Sequence, residues 1–202
     1  TLGQGYLTAP GGFRIGVCGT AVVREGDSRN LRDLSSICIR IGREQEGVSA
    51  PVLPQLWEDG RFRSTVILSP PGLGKTTLLR DMIRSLSDGA EDRPAQRMAV
   101  VDERGEVAGM HHGTPQLAVG CHTDVLDGCK KTEGIRMLLR SMSPQILAVD
   151  ELGGKEDFAA VKQALCCGCR VLGTVHAGCV QELLDKPYLQ ACVTQKLFGR
   201  YI

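Results

Sequence analysis

The chain has 202 residues, room for one α/β domain and a smaller appendage. It is 42% hydrophobic and 23% charged, with 25 glycines, which supports a packed core and argues against disorder. A formal net charge of +1 and 4% aromatic residues weigh against a strongly basic, base-stacking nucleic-acid binder and leave only a local basic groove open.

No run of about 18 apolar residues exists that would span a membrane. No charged-then-apolar leader opens the chain, and its ends at Thr1 and Ile202 read as fragment boundaries. The nine cysteines cluster only at Cys166-Cys167-Gly168-Cys169. Neither a second CxxC nor a spaced His pair accompanies them, so reduced thiols in the core of a cytosolic protein are expected.

In chain order, residues 1–50 read as a small β-rich module. Leu7 to Pro10, Phe13 to Val17, Ala21 to Val23 and Ile37 to Ile41 are short strand candidates, with the polar stretch Arg24 to Asn30 as a separator. Pro51 and Pro54 mark a connector, and residues 52–59 suggest a short helix. Residues 51–202 then read as a second domain in which strands alternate with helices. Strands are expected at Thr65 to Leu68, Met98 to Val101, Ile146 to Val149 and Val171 to Val175. Helices are expected at 75–87, at 133–142 and from Glu156 to Cys167, stopped by Gly89, Pro144 and Gly168. This alternation predicts an α/β fold, a mostly parallel sheet with helices on both faces. Ligands of such sheets sit beyond the carboxyl ends of the strands.

The strongest chemical signal follows the strand at Thr65. Ser69-Pro70-Pro71-Gly72-Leu73-Gly74-Lys75-Thr76-Thr77 resembles G-x-x-x-x-G-K-[ST], with Ser69 at the first glycine position and two prolines stiffening the loop. A phosphate chain needs many donors at close range. Gly72 and Gly74 let backbone amides turn inward, and the following helix points its positive end at the same place. Lys75 then reaches the outer phosphates, and Thr76 offers a hydroxyl to Mg²⁺. A P-loop nucleoside triphosphatase using ATP and Mg²⁺ is the expectation, and the absence of an N-K-x-D segment favours ATP over GTP.

Asp102-Glu103 and Asp150-Glu151 each end a strand, so both pairs are expected to aim carboxylates at the phosphate loop. Asp150 is the expected support for Mg²⁺, while the water-activating role stays open between Glu151 and Glu103. His176, at the end of the fourth strand, is placed to sense the terminal phosphate. Arg136 and Arg140 lie on one helix face, and Arg140 is a candidate to act across a subunit interface. His111-His112 reads as loop.

The ordered set of the phosphate loop, Val101 to Gly109, Arg140-Ser141-Met142-Ser143-Pro144 running into Leu147 to Gly153, and Gly173-Thr174-Val175-His176-Ala177 resembles the secretion-type ATPases of type II and type IV systems. Ser69 through Asp81, Thr123-Asp124-Val125-Leu126-Asp127-Gly128-Cys129, Ser141 to Pro144, Pro10 to Gly16 and Ser35 to Glu44 are similar to the stage III sporulation protein AA family across nearly the whole chain. That resemblance places Glu103 in an acidic box, Asp150 and Glu151 in the Walker B segment and His176 in a histidine box. It implies a cytoplasmic, Mg²⁺-dependent ATPase of the mother cell of an endospore-forming bacterium. Such a protein would be a homo-oligomeric ring, with a hexamer one form of it, peripheral to membrane-associated sporulation channel proteins. A RecA-like nucleic-acid ATPase and a nucleotide-binding scaffold without turnover are the alternatives.

Overall fold

The computed structural model describes residues 5–24, 27–185 and 187–202. Three antiparallel strands come first, β1 (Tyr6–Ala9), β2 (Phe13–Arg24) and β3 (Asp27–Arg40), in the order β1-β2-β3. β2 and β3 pair from Arg14 opposite Arg40 to Arg24 opposite Asp27. The strands expected separately at Phe13, Ala21 and Ile37 are therefore parts of one long ribbon. The polar stretch from Arg24 to Asn30 does not separate them: Glu25 and Gly26 lie outside the described residues, and the rest continues the two strands. Most of the distal ribbon is exposed, so its pairing rests on backbone hydrogen bonds and leaves no apolar alternation to read.

The short helix expected over 52–59 is a 3-10 turn at Leu53–Leu56 followed by a small hairpin of β4 (Trp57–Glu58) and β5 (Arg61–Phe62). Asp59 and Gly60 both take positive φ between these strands. Asp-Gly is a favoured pair for such a two-residue hairpin turn.

The chain then alternates β6 (Thr65–Ser69), α1 (Lys75–Asp88), β7 (Met98–Asp102), β8 (Thr123–Asp127), α2 (Lys131–Ser141), β9 (Ile146–Val149), α3 (Lys155–Cys166), β10 (Arg170–His176), α4 (Val180–Asp185), α5 (Pro187–Thr194) and β11 (Arg200–Tyr201). Six strands form a parallel sheet in the order β11-β6-β10-β9-β7-β8. The four expected strands make its centre. The two edge strands, β8 and β11, escape the sequence pattern because one is half polar and the other only two residues long.

Side chains of the central strands alternate between two cores. Ile146 and Ala148 pack with Leu79, Met82, Ile83 and Leu86 of α1. Leu147 and Val149 pack with Ile135 and Leu138 of α2 and with Phe158 and Val161 of α3. Burying one such side chain contributes about 1.5–3 kcal/mol, so the apolar stripe of each helix fixes which face of the sheet it covers.

The connector adds Leu53 and Leu56 to the α1 side of this core, and polar contacts tie the N-terminal sheet and the connector to it. Asp81 of α1 accepts hydrogen bonds from Ser49 N at 2.8 Å, Ser49 Oγ at 2.6 Å and Gly47 N at 3.0 Å, and it pairs with Arg84. Burial pushes the Asp81 pKa up, but the bonds from Ser49, Arg84 and Gly47 outweigh it and hold the carboxyl below its ordinary value. Glu44 Oε1 accepts from Ala118 N at 2.6 Å, and Glu106 pairs with Arg14 and Arg40.

None of the nine cysteines forms a disulfide. Burial in the core holds for Cys169 and Cys192, whose thiols it pushes up to about 11 and about 12. Cys18, Cys38, Cys121, Cys166, Cys167 and Cys179 are exposed instead, Cys166 and Cys167 because they lie where α3 ends and turns toward β10. Among the described residues, no helix is long and apolar enough to cross a membrane.

Candidate functional site

The loops that leave β6, β7, β9 and β10 converge at the carboxyl edge of the parallel sheet. β6 delivers the chain to Ser69, opposite His176 of β10. Gly72 and Gly74 follow at φ 79° and 85°, and a Cβ built on either would meet nothing within 4 Å. Their absent side chains therefore serve backbone conformation and leave an open cradle, not a packing contact. Gly74 caps α1 at its N-terminus, so the first amides of that helix face the cradle.

Lys75 is the first residue of α1 and is only 6% exposed. Its Nζ donates to the carbonyl oxygens of Ser69 and Pro70, each at 2.9 Å. Burial lowers the Lys75 pKa, while Asp150 and Glu151 oppose that shift. A cation held by carbonyl groups beneath an open loop is readily turned toward an anion.

Asp150 is the hub beside it. Its Oδ2 accepts from Thr76 Oγ1 at 2.9 Å, and its Oδ1 accepts from Thr174 Oγ1 at 2.5 Å and from Glu151 N at 3.1 Å. Thr174 Oγ1 in turn accepts from Glu151 N at 2.8 Å. These bonds hold Glu151 at a left-handed φ of 51°, a strain of about 1–3 kcal/mol for a residue with a side chain. Its carboxylate points into the cleft, where it meets His176 Nε2 at 3.2 Å and pairs with Arg104.

The two acidic pairs behave differently. Asp102 was expected to aim at the phosphate loop, yet it is 2% exposed and accepts from the amides of Glu106, Val107 and Ala108 at 2.8–3.2 Å. It folds the loop after β7 back upon itself. Burial raises its pKa against those amide bonds, and the negative charge of Asp150 adds to the rise. Arg80 fixes the same loop from α1, donating to the carbonyl oxygens of Glu106 and Val107 at 2.7 and 2.6 Å. Glu103 turns toward α2 and meets Lys131 Nζ at 2.6 Å.

An open cleft of about 700 Å³ unites Gly72, Gly74, Lys75, Thr76, Glu151 and His176. Leu73 stands exposed at the loop tip, and Thr77 and Pro71 also line the cleft. Arg136 and Arg140 lie exposed on α2, and neither lines it. Arg40 and Arg104 do; sequence reading passed over them, because no spacing rule connects either arginine to the phosphate loop. Thr174 was also missed, although a hydroxyl in the otherwise apolar run Val171 to Val175 was a usable signal. His111 and His112 sit in a tight turn closed between His111 and Thr114.

The residues fit a nucleotide with a hard divalent cation. The glycine cradle has space where phosphates need it, and the Thr76 hydroxyl and Asp150 carboxylate converge as oxygen donors of the kind Mg²⁺ prefers.

Comparison with known proteins bears on the fold and the family. The structure is similar to the ATPase DotB of Yersinia pseudotuberculosis, with a TM-score of 0.59, 16% identity and coverage of 92% of this chain and 48% of that one. It is similar also to the pilus retraction motor PilT solved with bound ADP, with a TM-score of 0.58, 17% identity and coverage of 86% and 46%. At such identities the likeness is one of fold: a parallel sheet with helices, as in secretion ATPases. Over 201 residues the chain is 40% identical to stage III sporulation protein AA of Bacillus subtilis (strain 168), covering 100% of this chain and 65% of that protein. The chain thus spans 65% of that relative's length. The family model described as "Sporulation stage III, protein AA" matches residues 1–202, and the chain belongs to that family.

Proposed function

We propose that this chain binds ATP with Mg²⁺ in the cleft beside Lys75 and hydrolyses the terminal phosphoanhydride. The observation that carries the reading is the bond from Thr76 Oγ1 to Asp150 Oδ2, formed at the mouth of a glycine cradle with a buried lysine beneath it. Amides from Gly72 to Thr77 and the Lys75 ammonium bind the phosphate oxygens. Thr76 and Asp150 would hold Mg²⁺, which neutralises charge between the outer phosphates when bound. Thr174 locks Asp150 and the Glu151 amide in register.

Glu151 orients and polarises the attacking water, because its carboxylate lines the cleft with Lys75 and Thr76 whereas Glu103 does not and pairs with Lys131. His176 senses the terminal phosphate from the end of β10. Arg140, exposed and outside the cleft of its own subunit, acts on the cleft of a neighbour in a homo-oligomeric ring. In this reading residues 1–50 are a module apart and residues 51–202 are the ATPase domain. Membership of a sporulation family and a secretion-ATPase fold support a role at the cytoplasmic side of a membrane complex during spore formation.

Phosphate release from Mg-ATP tests the assignment. Glu151→Gln is expected to lower kcat by about 10²–10³ while ATP stays bound. Glu103→Gln is expected to lose less than about tenfold. A variant at 103 that traps ATP, beside a normally hydrolysing variant at 151, reverses the two roles. Absence of turnover in the unaltered chain with nucleotide bound returns the protein to a scaffold.

A further inference from the structure

The ion pair between Arg104 and Glu151 joins a guanidinium to the carboxylate that the reading above makes the water-activating group. Resting on that reading, we propose that Arg104 is a nucleotide sensor with two seats: it holds Glu151 while the cleft lacks a terminal phosphate, and transfers to that phosphate when ATP enters.

The backbone around Arg104 is fixed and its side chain is not. Asp102 ties down the amides of residues 106 to 108, Arg80 holds the carbonyl groups of residues 106 and 107, and Glu106 is paired with Arg14 and Arg40 of the N-terminal sheet. Arg104 itself is 52% exposed at the side chain. Among the described residues Glu151 is its ion-pair partner, and it lines the same cleft as Gly72, Lys75 and Thr76. An ion pair this open is worth little net free energy and exchanges easily.

The competition has a clear direction. A terminal phosphate carries more negative charge than one carboxylate and offers three acceptor oxygens to a fork of donors, so the guanidinium prefers it. Loss of Arg104 then frees a Glu151 oxygen, once occupied by the guanidinium, for water. His176, at 3.2 Å from the other oxygen, remains to hold the carboxylate in place. ADP lacks the terminal phosphate, so in the ADP state Arg104 stays on Glu151 and the carboxylate remains engaged.

Calorimetric binding of Mg-AMPPNP and Mg-ADP to the full chain tests this. Arg104→Ala is expected to weaken AMPPNP by about ten- to a hundredfold and to change ADP by less than about twofold, with the retained ADP affinity reporting an intact fold. Glu151→Gln removes the competing charge and is expected to tighten AMPPNP, and that gain is expected to vanish when Arg104→Ala is added. Equal effects of Arg104→Ala on the two nucleotides, or a gain from Glu151→Gln that survives in the double variant, overturn the sensor and leave the ATPase reading standing. Failure of the unaltered chain to bind either nucleotide overturns both.

Discussion

Leu147 of β9 is fully buried, whereas Ile39 of β3, equally apolar and equally placed in a strand, is 57% exposed. The parallel sheet is covered on both faces, so its central strands are mostly buried, and polar exceptions such as Thr174 and Asp102 have hydrogen-bonding reasons. The antiparallel sheet has no second layer over most of β3. It stays attached through discrete polar anchors, Arg14 and Arg40 on Glu106, Glu44 on Ala118 N, and the Ser49 contact of its connector with Asp81. One region stores its order in a core, and the other is held largely by directional contacts beside the packing of Leu117 against Gly12 and Gly42. The contacts from Arg14 and Arg40 reach the loop that carries Arg104, so the attachment of the N-terminal sheet and the cleft share one loop.

The sharpest way to break this contrast is at the phosphate loop. Lys75→Ala removes the one ammonium buried beneath the cradle, and phosphate release is expected to fall by at least about a hundredfold with the melting transition little changed. Full activity in that variant refutes the site. Next in size, Leu147→Ala is expected to cost about 2–5 kcal/mol in urea unfolding, against less than about 0.5 kcal/mol for Ile39→Ala. A comparable loss for Ile39→Ala would mean that the apolar face of the N-terminal sheet is covered in solution.

A smaller effect than that of Leu147→Ala concerns the joint between the regions. The Asp81 pKa is lower in the folded chain than its ordinary value, so the stability it contributes is complete above about pH 4 and is lost as the pH falls through the folded value. Asp81→Asn is expected to lower stability by about 1–3 kcal/mol near neutrality and by less once the pH lies below both values. Urea midpoints measured at pH 7 and at the acid end decide it. An equal loss at both ends would show that the carboxylate charge does not hold the joint.

Much of the core was legible before any coordinates. Val149 and Leu147 alternate with Ile146 and Ala148, and α1 spaces Leu79, Met82, Ile83 and Leu86 along one face, because burial in a two-layer core imposes periods of two and 3.6 on the sequence. The phosphate loop was legible because positive φ at Gly72 and Gly74 and a cation at the following helix start are local requirements. Pieces of the β2–β3 ribbon were legible at Phe13, Ala21 and Ile37, but its full length was not, since pairing through the backbone places few demands on exposed side chains.

The sequence by itself determined where the four central strands and the helices α1, α2 and α3 lie, that a glycine cradle precedes Lys75, and that two acidic pairs end two of the strands. Only the tertiary structure shows how each pair is engaged. Asp102 is consumed by the amides of its own loop and Glu103 by Lys131, while Glu151 emerges between Arg104 and His176. The reason is physical: local conformation is written in neighbouring residues, but the partner of a charge is set by whichever distant group the fold brings within hydrogen-bonding reach.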